Sequence, residues 1–199
     1  MKISSIKQQI KNPDRASIFV DGKYSFSLHL NELVQEKLRI GQDIDEAALK
    51  RLTKMSEDGK LRSRVLEWVL NRPRSLREVR DYLYRKKADN EFSERVVSEF
   101  IERGYVSDEK FSLWLIDVRK RGGKSDRAIK NELMKKGVSR EVISEVMQGD
   151  QESERARLRA LYDKKSGLAR YKNDPQKFKQ YLLRQGFSYD DINELFLNG

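Results

Sequence analysis

The 199 residues contain one histidine, His29, and no cysteine. Ser-His-Asp, Cys-His and multi-histidine metal constellations therefore have too little to be built from. His29 follows a β-rich stretch at the start of a helical one, a position that suits packing or a turn hydrogen bond. Carboxylates are plentiful, but Asp and Glu are interleaved with Lys and Arg at helical spacing, which reads as surface ion pairs before it reads as a Mg²⁺ site of a nuclease. Arg121-Gly122-Gly123-Lys124-Ser125 resembles a phosphate-binding loop only superficially, since the spacing is wrong and no strand precedes it. No catalytic apparatus, cofactor or metal is expected. The chemistry left is that of cations arranged to meet anions. Arg119, Lys120, Arg121, Lys124, Arg127 and Lys130 run from the end of one predicted helix through the double glycine into the next. Arg72, Arg74, Arg77 and Arg80 occupy the matching place about 50 residues earlier. Lys124, Arg127 and Lys130 recur every three residues on a stripe away from Ile129 and Leu133, near a helix N-terminus whose N–H groups favour phosphate or carboxylate. A solubilising stripe would look the same; repetition at matched positions favours a shared binding surface.

A formal charge of +10 would gather phosphates or acidic protein surfaces. The charged fraction of 37%, against roughly 25% in an average soluble domain, favours thin helical layers over one thick core. No apolar run approaches the ~18 residues needed to cross a bilayer, and the first residues lack the apolar stretch of a signal peptide. A cytoplasmic protein without disulfides is expected.

The elements that carry these cations differ along the chain. Between Ile3 and Leu28 lie β-rich runs broken at Asn12-Pro13-Asp14 and at Asp21-Gly22. The Asp-Gly pair predicts a type I′ hairpin, with Ile18, Val20, Tyr24, Phe26 and Leu28 alternating toward one face. A short helix from about Leu30 to Leu38, ended by Gly41, and a second from an Asp45 N-cap to about Met55 complete an N-terminal module over residues 1–58.

Beyond residue 58 the apolar spacing becomes helical and recurs with a period near 50. Val79 and Leu83 correspond to Ile129 and Leu133 and to Phe178 and Leu182, each pair at i, i+4. Ser75, Ser125 and Asp174-Pro175 supply the N-terminal signals. Gly137 and Gly186 supply left-handed stops, whereas Lys87 stands at that place in the first copy, whose helix is expected to run on. A third helix repeats as Val96, Val97, Phe100 and Ile101, then Val142, Ile143, Val146 and Met147, then Asp191, Ile192, Leu195 and Phe196. First helices carry Leu61, Val65, Leu66 and Val69; Phe111, Leu115, Ile116 and Val118; and Leu158, Leu161 and Tyr162. The expectation is a mainly α protein of three tandem three-helix repeats, over residues 59–105, 106–149 and 150–199, stacked into an elongated curved array. Trp68, Trp114, Tyr82 and Tyr181 sit at or beside core positions, so packing outweighs base stacking as their role. Phe100 and Phe111 read as core.

The stretch GYVSDEKFSLWLIDVRKRGGKSDRAIKNELMKKGV resembles the most characteristic part of the RecX family. Gly104, Tyr105, Asp108, Phe111, Arg119, Gly123, Ile129, Glu132, Leu133, Lys136 and Gly137 carry the likeness. RPRSLREVRDYLYRK before it and RQGF near the C-terminus add to it, while Ser112 departs from the family's usual alanine. The N-terminal hairpin is taken as a variable extension. The resemblance implies a modulator of the bacterial RecA recombinase, acting in homologous recombination, DNA repair and the SOS response. Such a protein binds the RecA–DNA filament and limits ATP hydrolysis and strand exchange. The partners it implies are that filament and, for some members, single- or double-stranded DNA. No membrane partner is expected, and the chain is expected to act as a monomer. A different reading from charge alone is an autonomous DNA-binding protein that coats single strands.

Overall fold

In the computed structural model, which describes residues 1–148 and 151–197, three antiparallel strands come first: β1 (Ile3–Gln8), β2 (Arg15–Val20) and β3 (Lys23–His29), in the order β1-β2-β3. Asp21 and Gly22 take φ of 47° and 80°, the pair of positive angles a type I′ turn needs. Ile18, Val20, Phe26 and Leu28 face inward and pack with Ile3, Leu38, Ile44 and Leu52. Tyr24 does not join them. Between the pairs Ile18↔Phe26 and Phe19↔Tyr24 the register shifts, and this bulge turns Tyr24 out to 52% exposure, because one extra residue reverses the alternation.

His29 caps α1 (Leu30–Gln35): its ring nitrogen accepts the Asn31 N–H at 3.3 Å, and its own N–H donates to Glu32 Oε2 at 2.7 Å. That reciprocal arrangement satisfies two donors that a helix start leaves open. Asp45 Oδ1 accepts the Ala48 N–H at 2.7 Å and starts α2 (Glu46–Leu70). This helix does not stop near Met55, and the expected boundary at residue 58 falls inside it. Gly59 costs a helix interior only about 1 kcal/mol. A Cβ there would come within 3.2 Å of Glu32 and 3.3 Å of Arg15, so the glycine lets the helix pass close over them.

The remaining helices are α3 (Leu76–Arg85), α4 (Asn90–Glu102), α5 (Asp108–Arg121), α6 (Asp126–Lys135), α7 (Arg140–Val146), α8 (Gln151–Ser166), α9 (Ala169–Lys172), α10 (Pro175–Gln185) and α11 (Tyr189–Leu197). The third repeat thus holds an additional short helix, α9, which buries Tyr171 against Phe178. Middle helices α3, α6 and α10 bury Val79 and Leu83, Ile129 and Leu133, and Phe178 and Leu182. Ser75, Ser125 and Asp174 cap their N-termini, accepting the N–H groups of Glu78, Ala128 and Lys177. Helix α3 does not run on: Lys87 adopts a left-handed φ of 58°, as Gly137 and Gly186 do at 82° and 101°. Beyond it Asp89 caps α4 by accepting the Phe92 N–H at 2.8 Å, which fixes the stop. Ile101, placed by periodicity with Val97 and Phe100, is 45% exposed.

Two compact units are present, residues 1–68 with 86–96, and residues 69–85 with the chain from Val97 onward. Helix α3 therefore belongs to the same unit as the second and third repeats.

Candidate interaction surface

Within the larger unit the middle helices meet end to end. A helix C-terminus leaves carbonyls without intrahelical partners, and the N-terminal turn of the preceding repeat's middle helix supplies donors to them. The Ser125 N–H donates to the Gln185 carbonyl at 3.0 Å, Lys124 Nζ reaches the Arg184 carbonyl at 3.4 Å, and Arg127 Nε the Gly186 carbonyl at 3.1 Å. One repeat earlier the Ser75 hydroxyl donates to the Lys136 carbonyl at 2.8 Å. Both junctions close on a glycine. A Cβ at Gly137 would lie 2.8 Å from Arg77 Cβ, and one at Gly186 would overlap Ser125 Oγ and come 2.7 Å from Ala128 Cβ.

Carboxylates of the following repeat cap the same N-termini. The Leu76 N–H donates to Asp108 Oδ1 at 2.8 Å and the Asp126 N–H to Glu154 Oε1 at 2.9 Å, while Arg157 pairs with Asp126 at 2.6 Å. Burial pushes the Asp108 carboxyl up from its ordinary range, against the opposing pull of the Leu76 N–H and the Arg80 charge.

The basic residues divide by task. Arg72 grips Glu78 at 3.0 and 3.2 Å, donates to the Pro73 carbonyl, and lies 4.8 Å over the Trp114 ring. Lys136 closes on the same carboxylate at 2.8 Å. Burial raises the Glu78 carboxyl, but Arg72 and Lys136 outweigh it and hold the group below the usual glutamate range. Burial, then repulsion from Arg72, lowers Arg74. Arg119 makes a bidentate pair with Glu132 at 2.8 and 2.6 Å, and that hydrogen bonding lowers Glu132 and raises Arg119. Arg121 pairs with Asp117 along an exposed helix face, and Lys124 and Arg127 serve the junction. Arg77, Arg80 and Lys130 are exposed and Lys120 is half-exposed; Arg77 lies 3.9 Å from Asp81. Each cluster therefore splits between residues holding neighbouring repeats in register and residues facing outward.

Sequence reasoning missed Glu78, Asp108 and Glu154 as junction residues. The partners they meet across the junctions lie between 28 and 58 positions away, beyond helical spacing. Matched N-caps facing matched glycines were the available signal. Trp114 and Tyr181 pack as expected, against Phe111 and against Tyr171 and Phe178. Phe100 and Phe111 are buried. Among the described residues no group of three His, Cys, Asp or Glu side chains stands close enough to hold a metal ion, and no helix is long and apolar enough to cross a membrane.

Residues 1–45 match the family model described as the regulatory protein RecX N-terminal domain, and residues 107–147 match that of the RecX second three-helix domain. The N-terminal module is thus itself a family domain and not a variable extension. Regulatory protein RecX of Listeria innocua is 31% identical over 193 residues, covering 94% of this chain and 72% of that protein. That of Bacillus subtilis is 29% identical over 196 residues, covering 96% and 74%. A crystal structure of regulatory protein RecX superposes with a TM-score of 0.70 at 24% identity over 98% of both chains. That of RecX from Lactobacillus salivarius gives 0.57 at 21% identity, covering 71% of this chain and 95% of that one.

Proposed function

The chain belongs to the RecX family of regulatory proteins, and from that premise we propose that it regulates RecA by binding the RecA–DNA filament and restraining ATP hydrolysis and strand exchange. It acts by occupancy, in the cytoplasm and as a monomer, without cofactor or catalysis. Its three repeats, over residues 59–105, 106–149 and 150–199, supply the contact. The observation that carries this reading is the pair Arg80 and Lys130. They stand at matched positions of α3 and α6, both exposed, beside the buried Val79 and Ile129. Arg77 and Lys120 extend that positive surface; Arg72, Arg74, Arg119, Arg121, Lys124 and Arg127 shape and orient it. A cationic helix face of this kind attracts acidic protein or phosphodiester.

The test is RecA ATP hydrolysis on single-stranded DNA with substoichiometric amounts of this protein, beside a measurement of its own affinity for that DNA. Inhibition well below one copy per RecA protomer, largely lost in the Arg80→Glu, Lys130→Glu variant, is the expected result. Inhibition only at amounts that saturate the DNA would instead favour a coating protein competing for the strand. In that case affinity should fall steeply with salt, by about 10³–10⁵ between 50 and 200 mM for 6–10 phosphate contacts.

A further inference from the structure

The separations of 50 and 49 that align the buried pairs also align Tyr84, Met134 and Leu183 in the last turns of α3, α6 and α10. All three are exposed, at 83%, 43% and 37%. One turn before them stand Arg80, Lys130 and Lys179, and one turn earlier still Arg77 and Arg127. Spacing of i, i+3 and i+7 places each set along one helix face. Gly137 and Gly186 continue the same stripe at i+10.

The junctions join these stripes. The stem of Arg77 crosses Gly137, and the Arg127 guanidinium reaches the Gly186 carbonyl, so the face that ends one middle helix is the face that begins the next. Middle helices of 11, 10 and 10 residues carry the stripe over about 45 Å at 1.5 Å per residue. In the first two repeats its composition is cation, cation, apolar side chain; in the third, Gln176 replaces the first cation. The cations also have partners within the fold: the Arg80 charge acts on the Asp108 carboxylate, and Lys179 donates to Asn193 at 2.8 Å and lies 5.0 Å from the Phe196 ring, so the third repeat contributes chiefly its apolar anchor.

We propose that this stripe is a docking ridge for a protein partner whose surface alternates carboxylates with apolar side chains. The inference rests on the regulator reading and specifies what kind of surface that regulator grips. A nucleic-acid strand would satisfy the cations alone. Stacking platforms for single strands use aromatic rings; of the three anchors only Tyr84 has one, and Met134 and Leu183 offer no flat face and would be left against phosphate or water. A protein surface with both chemistries satisfies both sets, the apolar anchors supplying affinity and the cations orientation. Methionine at the central position adapts to an irregular apolar partner.

The experiment replaces the three anchors together, Tyr84→Ser, Met134→Ser and Leu183→Ser, leaving every charge in place. Binding is measured to RecA filaments on single-stranded DNA and, separately, to the same DNA without RecA. Met134 and Leu183 are more than half covered, so the melting temperature of the triple variant is measured first; Tyr84→Ser, at the most exposed anchor, provides a second variant that should melt close to the wild type. A loss of at least about tenfold on the filament, the scale of one good anchor, with DNA affinity held within about twofold, is expected. Unchanged filament binding would overturn the ridge while leaving the regulator reading intact. Equal losses on filament and free DNA would make the stripe a nucleic-acid surface and overturn it as well. A wild-type protein that binds DNA but not filaments would sink the regulator reading, and the ridge with it.

Discussion

Removing the Glu78 carboxylate gives the most direct test of whether ion pairing holds the first repeat on the second. Glu78 is 12% exposed, Arg72 29% and Lys136 40%, so the three contacts lie between a surface and a buried pair. A hydrogen bond to a charged group nets about 1.5–3 kcal/mol, and an exposed pair 0–1 kcal/mol. Weighting the Arg72 grip toward the first figure and the Lys136 contact toward the second gives about 2–3 kcal/mol lost in Glu78→Ala. Arg72 keeps the Pro73 carbonyl and the Trp114 ring, which holds the estimate below the ~3–5 kcal/mol of a fully buried broken pair. Thermal unfolding followed by helical circular dichroism should register this as roughly 5–10 °C, taking ~2–4 °C per kcal/mol for a chain of this size. A cycle with Lys136→Met should return a coupling of about 0.5–1 kcal/mol. For comparison, Arg121→Ala removes a pair whose members are 71% and 62% exposed and should shift stability by less than about 0.5 kcal/mol. Glu78→Ala melting within about 1–2 °C of the wild type would refute the idea that this carboxylate fixes the junction.

Gly137→Ala and Gly186→Ala should each cost about 2–4 kcal/mol in urea unfolding, a left-handed penalty plus displacement of Arg77 or Ser125. Gly41→Ala, with φ of 86° and nothing within 4 Å, should lose only the ~1 kcal/mol of the backbone term, and Lys87→Gly should be neutral or mildly stabilising. Asp108→Asn keeps an acceptor for the Leu76 N–H without a buried charge and should be tolerated, whereas Asp108→Ala should cost about 1 kcal/mol. In acid, Glu78 and Glu132, held below the range of the unfolded chain, contribute stability that is complete above the unfolded value of about 4.3 and is lost as pH falls through their folded values. Asp108, raised in the folded protein, works in the opposite sense. A melting-temperature profile from about pH 3 to 7 on wild type, Glu78→Gln and Asp108→Asn separates the two.

Features set by a few neighbouring residues were legible in the sequence. The hairpin followed from Asp21-Gly22, the helix starts from Ser75, Ser125 and Asp174, and the repeat from three apolar pairs at constant spacing. What failed involved contacts between distant segments, a bulge within the hairpin, and the stop of α3, where Lys87 takes the left-handed angle expected of glycine. The end of α2 was misplaced at about Met55 because the helix continues through Gly59, whose missing side chain leaves space for Arg15 and Glu32, 44 and 27 residues earlier. Tyr24 was misassigned because a bulge opposite Phe19 leaves no mark in the alternation. Of the candidate site, residue types and positions were legible. Their division between junction and outward duty was not, since the carbonyls of Arg184 and Gly186 that receive Lys124 and Arg127 lie 60 and 59 residues away.

That division gives matched charge in a repeat protein two separate causes. Cations at the N-cap flank and first turn, such as Lys124 and Arg127, recur because each middle helix ends in carbonyls that the preceding repeat's helix must satisfy, and such bonds would be needed even in a protein that bound nothing. Cations in the second turn, such as Arg80 and Lys130, lie outside the junction hydrogen bonds, and of the two Arg80 also acts through its charge on the Asp108 carboxylate that caps α3. Arg72 and Lys136 belong with the first group although they lie outside the stripe, since Glu78 gathers them. Charge reversal at Lys130 should therefore change binding while sparing stability, and reversal at Lys124 and Arg127 should disturb the register of the repeats first and binding only as a consequence. Measuring melting temperature and filament affinity on the same variants separates these causes: equal losses of stability at both turns would mean that the second-turn cations are structural too.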